Sequence, residues 1–259
     1  MFAFLLGVLC LLAAGAIGAL GSLVIYAKWL RTLAIGVCIL VGLVFCIWSS
    51  TLWVGPSKGG LVTKKFGVPL MEGHIVAANG ERGVQADIIS PGWSFGPADN
   101  SSWLWWPWLY EVESVDNVTI PEGHVGVVSA LDGAPLPEGE VYALAWEDPT
   151  RMIDAKAFLT GKGCKGPQLT VLSPGQYRYN PKLFDVKSAA CVDIPIGDVG
   201  VIRANAGQAH TNVNIEAEIV NGVPLVPKGF RGIWRDPLMP GKYYIHPNAY
   251  QVVMVKTTK

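Results

Sequence analysis

The chain has 259 residues, in which twenty Lys and Arg balance twenty Asp and Glu, and only 15% of the residues are charged. This balance argues against a nucleic-acid-binding protein, which would carry a basic excess. The 51% share of hydrophobic residues excludes a disordered chain. Lys28 and Arg31 are the only charged residues before Lys58, and the first acidic residue is Glu72. The sequence therefore divides into an apolar N-terminal segment and a soluble body of net charge −2.

Two uncharged runs, 2–27 and 32–57, flank Lys28 and Arg31. Each run exceeds the ~20 residues that a helix needs to cross the hydrocarbon core of a bilayer. A cleaved signal peptide would begin with a basic region and a short apolar core, and this N-terminus has neither. We therefore predict that residues 1–55 form a transmembrane helical hairpin.

Aromatic side chains stand near both ends of the predicted hairpin. Tyr26 and Trp29 lie in its turn, and Trp48 and Trp53 lie at the far end. Because indole and phenol rings combine an apolar body with a polar group, they favour the membrane–water interface. We predict that these four side chains lie there.

Ala14, Gly18 and Ser22 recur at intervals of four residues on one face of the first predicted helix. Small residues at this spacing let a second helix approach closely, so they predict a helix-packing face. The alternative is that small residues are simply common in membrane helices. The basic residues favour a body in the cytoplasm, because three lysines (Lys58, Lys64 and Lys65) lie at the start of the body and only two basic residues lie in the hairpin turn.

The soluble body contains an internal repeat, which is carried by four short signatures. They are Gly-x-Pro-Leu from Gly67, Gly133 and Gly222; Pro-Gly from Pro91, Pro174 and Pro240; Pro-x-x-aromatic-x-Val from Pro107, Pro181 and Pro247; and Ile-Pro-x-Gly-x-x-Gly from Ile120 and Ile194. The aromatic residue follows the Pro-Gly proline by ten residues in the second and third copies and by nineteen in the first. We predict three modules, at 56–118, 119–192 and 193–259.

Short runs of β-branched residues separated by Pro-Gly and Asn-Gly pairs predict strands and tight turns throughout the modules. One segment breaks this pattern and predicts a helix at 149–160, with Asp148 as the N-cap, Pro149 at the first helical position and Gly161 at the end. The predicted fold class is a membrane-anchored, mostly β protein with at least one short inserted helix.

The repeat signatures resemble those of the stomatin/prohibitin/flotillin (SPFH, or band 7) superfamily. Residues 118–128, 194–202 and, more degenerately, 226–234 resemble the opening strand of that domain. Residues 240–252 resemble its turn and second strand. Residues 61–67, 80–86 and 106–108 resemble the bacterial flotillin-like branch. The resemblance covers about 55 to 259. It implies a membrane-anchored scaffold that oligomerises into rings or cages and organises membrane patches or membrane proteases.

The resemblance also raises a question about length, because family members continue into a long helical coiled coil. The spacing of the repeat places the next Ile-Pro-x-Gly signature at about position 260. We expect the chain to be the N-terminal part of a longer polypeptide. The alternative is that oligomerisation relies on the hairpin and the modules alone.

The most conspicuous cluster of side chains consists of five indoles within sixteen residues, namely Trp93, Trp103, Trp105, Trp106 and Trp108. One interpretation is a small aromatic core of the first module. The other is an amphipathic patch that rests in the headgroup layer, where tryptophan is favoured. We predict these five residues as membrane-interface residues.

Residue patterns typical of catalysis or of metal binding are absent from the sequence. The four histidines are isolated, the two cysteines of the body, Cys164 and Cys191, leave one disulfide or none, and no nucleophile elbow or phosphate loop occurs. We therefore predict no cofactor, no metal and no enzymatic activity. The predicted function is an oligomeric scaffold in the plasma (inner) membrane, with the lipid bilayer and further copies of itself as partners. The alternatives are a regulatory or adaptor subunit of a membrane protease or transporter and, less favoured, a membrane-tethered hydrolase.

Overall fold

A computed structural model of the chain describes residues 2–24, 28–78, 80–97, 105–209, 218–220 and 222–257. The N-terminal part is helical and the body is mostly β, with small sheets and a few short helices, as the sequence predicts. The chain forms two compact units. Unit 1 comprises 1–69 and 79–115, so the helices and most of the first module belong together; unit 2 comprises 70–78 and 116–259.

Two apolar helices begin unit 1, α1 (Phe2–Val24) and α2 (Lys28–Ser49). They run antiparallel and lie close together where Gly7 of α1 faces Gly42 of α2. A Cβ atom added to Gly7 would lie 3.0 Å from the carbonyl oxygen of Gly42 and 2.8 Å from the Cys46 sulfur. Larger residues at either glycine would therefore push the helices apart. Ala14, one of the predicted packing residues, is buried.

The β part of unit 1 consists of a ribbon and a sheet. In the ribbon, β1 pairs with β5; in the sheet, β2 lies between β4 and β6. A core of Val62, Trp105 and Tyr110 fills the space over the sheet, with Ile89 and Val112 packed against it. The strand bounds are β1 (Leu52–Val54), β2 (Lys58–Lys64), β4 (Gly83–Ile89), β5 (Gly92–Ser94) and β6 (Tyr110–Asp116), and the short β3 (Val76–Ala77) belongs to unit 2.

The first part of unit 2 has the same kinds of element, a ribbon of β7 and β10 and a sheet in which β8 lies between β11 and β9. Its interior is aromatic, with the Phe158 and Phe184 rings in edge contact at 5.0 Å. Asp132, which follows β8, is buried and binds the backbone of β3. The strand bounds are β7 (Val118–Ile120), β8 (His124–Ala130), β9 (Gly166–Pro167), β10 (Gly175–Tyr177) and β11 (Phe184–Ala190).

The helical segment of this module differs from the prediction of one helix at 149–160. It forms two helices, α3 (Pro149–Ile153) and α4 (Ala155–Thr160), which meet at Asp154. The Asp148 carboxylate caps the first by accepting the Thr150 N–H at 2.8 Å, as predicted. The Asp154 carboxylate caps the second by accepting the Ala157 N–H at 2.8 Å. Asp154 has an extended backbone, because a side-chain cap competes with continuation of a helix.

The second part of unit 2 contains the ribbon of β12 and β17 and a five-stranded sheet in the order β14-β15-β16-β13-β18. Its core is built on Ile202, Ala204, Val226 and Trp234. The Arg231 guanidinium binds the Glu140 carboxylate, which links this part to the preceding one. The strand bounds are β12 (Val192–Ile194), β13 (Asp198–Ala204), β14 (Glu218–Val220), β15 (Val223–Val226), β16 (Gly232–Trp234), β17 (Gly241–Tyr243) and β18 (Tyr250–Lys256).

Several strands at corresponding positions of the three predicted modules have matching lengths. The strands β6, β11 and β18 each span seven residues and begin at the aromatic residue of the Pro-x-x-aromatic signature. The strands β5, β10 and β17 each begin at the glycine of a Pro-Gly pair, where φ lies between 115° and 154°. Only glycine adopts such a φ readily, so the turn depends on that residue.

Candidate membrane-interface site

The ribbon of unit 1 carries two tryptophans directly opposite one another. Trp53 in β1 is the register partner of Trp93 in β5, and their ring centroids lie 5.2 Å apart. Both side chains stand out from the protein, with 61% and 60% of their surfaces exposed. Side chains directly opposite on paired strands contact each other, so the two rings form one apolar surface of large area.

The two ribbons of unit 2 have the same strand register, but polar residues occupy the positions that correspond to Trp53 and Trp93. Thr119 faces Gln176 in the second module, and Asp193 faces Lys242 in the third. A Thr–Gln or Asp–Lys pair suits a ribbon that is surrounded by water, whereas a Trp–Trp pair suits one that meets an apolar or interfacial environment. The ribbon of unit 1 therefore has an apolar exterior where the ribbons of unit 2 have a polar one.

A second aromatic group surrounds the beginning of α1. The Phe4 ring lies 4.8 Å from the Trp108 ring and 6.1 Å from the Trp106 ring, both in edge contact. Trp106 and Trp108 stack on each other at 4.9 Å. At the corresponding positions, counted from the shared proline, the later modules have polar residues, Asn180 and Lys182 in one and His246 and Asn248 in the other.

The end of α2 supplies the third part of the site. Trp48, near the last turn of this helix, is 71% exposed, and it borders an apolar groove together with Trp93 and Phe95. We call Phe4, Trp48, Trp53, Trp93, Phe95, Trp106 and Trp108 together the aromatic collar. It lies where α1 begins and α2 ends, so it is placed at one end of the helix pair.

Within α2, Trp29–Ser49 is long and apolar enough to cross a membrane, with a mean hydropathy of 2.5. Only 6% of its most apolar stretch of 18 residues is buried. The apolar part of α1 is shorter in the residues whose side chains are described, Ala3–Ala19. The weakly buried surface of α2 would be unfavourable in water because it exposes a large contiguous apolar area. A collar of indoles at the end of such a helix is the pattern expected at a membrane–water interface.

The other predicted interface residues have different positions. Trp105 lies in the core of unit 1, with 4% of its surface exposed, and its indole N–H donates to the Ser94 hydroxyl at 3.0 Å. Trp29 is 67% exposed at the beginning of α2. Tyr26 and Trp103 lie outside the described residues. The two interpretations of the tryptophan cluster therefore apply to different members, a core for Trp105 and an exposed surface for Trp93 and Trp108.

The other predicted helix-packing residues have less contact than Ala14. Gly18 is exposed, and a Cβ added there would come no closer than 3.9 Å to Ile35. Ser22 lies in α1, at the end whose side chains are outside the description. Sequence reasoning missed Gly7 and Gly42, because the meeting point of two helices depends on both sequences together.

Phe4 and Phe95 are members of the aromatic collar that sequence reasoning missed. The repeat gives no clear signal for Phe95, since the corresponding residue is the charged Arg178 in the second module but the aromatic Tyr244 in the third. No signal exists for Phe4 either, because it lies in an apolar run in which every residue is hydrophobic. Its contact with Trp108 joins residues that are far apart in the chain.

Two histidines of unit 2 have structural partners. His74 Nδ1 lies 3.0 Å from a carboxylate oxygen of Asp132. Burial by itself would raise the pKa of Asp132, but the backbone N–H groups of Ile75, Val76 and Gly133, together with His74, lower it below the ordinary value of 3.8. His246 is buried, and burial lowers the pKa of its ring below the ordinary value of 6.5.

No protein-family model, curated protein or solved structure matches this chain. Among the residues that the structure describes, no three His, Cys, Asp or Glu side chains come together as a metal site. Cys164 and Cys191 are both free thiols, which resolves the alternative that the sequence left open. The chemistry that the chain offers most clearly is therefore the apolar surface of the aromatic collar.

Proposed function

We propose that this chain is a membrane-anchored scaffold of the flotillin-like (SPFH) type, which assembles into a ring or cage of identical copies and organises a patch of the plasma (inner) membrane or encloses a membrane protein such as a protease. In this proposal both helices cross the bilayer as a hairpin, the three modules are SPFH-like repeats, and the body lies in the cytoplasm. The aromatic collar supports membrane anchorage, since it surrounds the end of a helix pair with exposed indoles.

Self-assembly is supported by the last strand of the third module, β18, and this is the observation that carries the proposal. The strand stands at the end of its sheet. Its side chains are exposed on both faces, with Val253 at 61%, Met254 at 49% and Val255 at 46%. An exposed edge strand with apolar side chains readily pairs with another chain. A neighbouring copy would cover this surface in an assembly.

The corresponding strands of the other modules also stand at the ends of their sheets, but they carry charges. Counted from the first aromatic residue, the fourth position is Glu113 in β6, Lys187 in β11 and Val253 in β18. Charged side chains on an edge strand oppose pairing with another chain. The third module is therefore the one whose edge is suited to a second copy.

The difference between these strands suggests an experiment. The substitution Val253→Lys places on β18 the side chain that β11 carries at the same strand position, Lys187. The variant should fold, because the backbone of the second module accommodates a lysine there. We expect the full chain in detergent to form large ring-like particles, measured by light scattering and electron microscopy, and V253K to form particles at least several-fold smaller in mass.

The matched control is Glu113→Lys, which places the same side chain at the same position of the first module. It should leave the particle mass unchanged. A wild-type chain that is a monodisperse monomer in detergent would contradict the scaffold. Large particles of unchanged mass in V253K would show that β18 is not the contact between copies.

A further inference from the structure

Unit 2 contains a cavity of about 230 Å³ beside the sheet of its second module. One wall includes Ser129 on β8 with Asp185 and Lys187 on β11. Ser129 and Asp185 are directly opposite in the strand register, so their side chains lie on the same face of the sheet. The turn before β18 supplies another wall with His246 and Asn248. Since one water molecule takes up ~30 Å³ in the liquid, the cavity has room for a molecule of several non-hydrogen atoms.

His246 brings to this cavity a hydrogen-bond donor that has no acceptor. Its side chain is buried, with 2% of its surface exposed. The Nδ1 atom accepts the N–H groups of Asn248 and Ala249, so the hydrogen of the neutral ring is on Nε2. Because the Nδ1 edge is turned to its own backbone, the edge with Nε2 faces the cavity that the ring lines.

The Nε2 atom of His246 is enclosed, and it has no hydrogen-bond partner among the residues that the structure describes. A buried donor without an acceptor destabilises the folded chain, and most such groups in proteins are paired. A ligand that brings an acceptor into the cavity would pair this donor. The Nε2–H also excludes a metal ion here, because a metal would need the lone pair of that nitrogen.

The lining of the cavity carries no net charge. Burial holds the pKa of His246 below its ordinary value of 6.5, so its ring is neutral at pH 7. The two charged side chains among the described lining residues are Asp185 and Lys187, and the Lys187 Nζ lies 3.0 Å from a carboxylate oxygen of Asp185. An anion would be attracted by one of these groups and repelled by the other, and so would a cation. The lining therefore favours a neutral ligand.

The polar groups of the lining call for a ligand that both accepts and donates hydrogen bonds. The His246 Nε2–H can only donate and the Asp185 carboxylate can only accept, whereas the hydroxyls of Ser129 and Tyr142 can do either. A hydroxyl is the smallest neutral group that does both. The Tyr142 ring, in edge contact with the His246 ring at 5.0 Å, and Pro167 add apolar surface for the carbon atoms that carry such hydroxyls.

We propose that this cavity binds a neutral polyhydroxyl compound, a monosaccharide or a cyclic polyol of similar size. One hydroxyl of the ligand accepts the His246 Nε2–H, and a neighbouring hydroxyl donates to the Asp185 carboxylate. Every residue of the site lies within unit 2, so the inference does not depend on the proposed membrane anchorage or self-assembly.

The test is saturation-transfer difference NMR on the full chain in a detergent that has no sugar headgroup. This method observes the small molecule, so it works for a protein inside a large detergent particle. The probes are glucose, galactose, mannose and myo-inositol, each added alone at millimolar concentration. We expect saturation transfer to at least one of them, with a dissociation constant that a titration of that probe gives.

His246→Asn removes the Nε2–H from the cavity and keeps the turn, because Asn180 closes the corresponding turn of the second module. We expect the dissociation constant of the bound probe to rise about fivefold, as for the loss of one hydrogen bond. Asp185→Ala removes the acceptor on the opposite wall and should weaken binding by a similar factor. Because Asp185 is half-exposed, this second variant tests the site even when H246N does not fold.

His124→Asn is the matched control, because it makes the same exchange at a histidine that does not line the cavity. It should leave the dissociation constant unchanged. Absence of saturation transfer to all four probes, or equal binding in the wild type, H246N and D185A, would overturn the proposal. Tighter binding of acetate, methylammonium or acetamide than of the four probes would also overturn it, since the cavity would then select an ion or an amide.

Discussion

The ribbon of the first module and the ribbons of the other two share one register and differ in the pair at its centre. That pair is Trp53 and Trp93 in the first module and Asp193 and Lys242 in the third. Since the backbone is the same, the pair is not needed to hold the ribbon in shape. The three ribbons thus share one backbone arrangement while their exteriors differ, and the aromatic exterior belongs to the module that is joined to the helices.

The interiors of the modules, in contrast, use similar contacts. Gln85 and Gln168 stand at corresponding positions, and the side-chain amide of each donates to the carbonyl oxygens two and four residues earlier. In the third module the indole N–H of Trp234 donates to the carbonyl four residues earlier, at 3.1 Å. The side chain at this position therefore donates to a preceding carbonyl in all three modules, although the residue type changes from Gln to Trp.

The largest effect on stability is expected from Asp132→Ala. The Asp132 carboxylate accepts N–H groups of Ile75, Val76 and Gly133 at 2.6–3.0 Å, and the side chain is 1% exposed. Its loss leaves these donors without a partner, at ~1–3 kcal/mol for each buried group. We expect the free energy of unfolding of the full chain in detergent to fall by about 3 kcal/mol or more, as measured by urea titration.

The corresponding residue of the third module is Ala206, which is also buried. The comparison shows that the backbone here does not require an aspartate and that the carboxylate serves the segment 74–76. Because the folded pKa of Asp132 lies below 3.8, its stabilisation is present above that pH and is lost as the pH falls towards the folded pKa. D132A should show a weaker loss of stability below pH 4 than the wild type; an equal loss would contradict this role.

The contacts of Asp132 also show where sequence reasoning stops. Strand starts at Tyr110, Phe184 and Tyr250 could be predicted, because each depends on a proline and an aromatic residue three positions later. The partner of Asp132 could not, since His74 is 58 residues away and no local pattern links them. The aromatic collar was predicted in part, because exposed and buried tryptophans look alike in a sequence and only packing separates Trp105 from Trp93.

A smaller effect, which depends on pH, is expected from His246→Asn. The Nδ1 atom of His246 accepts the Asn248 and Ala249 N–H groups at 3.3 and 3.1 Å. Asn180, at the corresponding position of the second module, accepts the Lys182 N–H at 2.9 Å. Asparagine can therefore close the same turn, and we expect H246N to fold with little loss of stability at pH 8.

The wild type and H246N should differ in the pH dependence of their stability below pH 6.5. The pKa of His246 in the folded chain is lowered by burial. As the pH falls, this histidine therefore takes up a proton in the unfolded chain before it does so in the folded chain. The stability from the neutral ring is then complete above pH 6.5 and falls as the pH drops towards the folded pKa, by up to about 1.4 kcal/mol per pH unit. Urea titrations between pH 5 and 8 should show this slope in the wild type and not in H246N. The control His124→Asn should retain the slope, and a slope that persists in H246N would assign it to another group.

The smallest effect on stability is expected when the first ribbon is given the residue pair of the second ribbon. This variant is also the most direct test of the comparison between the ribbons. The double variant Trp53→Thr, Trp93→Gln removes one exposed aromatic cross-strand pair, which contributes about 0.2–1 kcal/mol. The register is expected to persist, because the second module forms the same ribbon with Thr119 and Gln176. Urea unfolding in detergent should therefore change by no more than about 1 kcal/mol.

Contact with lipid, in contrast, should change clearly in this variant. If the pair lies at the membrane interface, lipids brominated near the headgroup quench Trp53 and Trp93 in nanodiscs, and the quenched fraction of the total fluorescence falls when both are replaced. Trp146→Phe removes an indole that stacks on Phe158 within unit 2, so it should leave the quenched fraction equal or higher. A quenched fraction that does not fall in W53T/W93Q would mean that the exposed pair faces water. The aromatic exterior of the first module would then need a protein partner, rather than the bilayer, to explain why it differs from the polar ribbons of the other two.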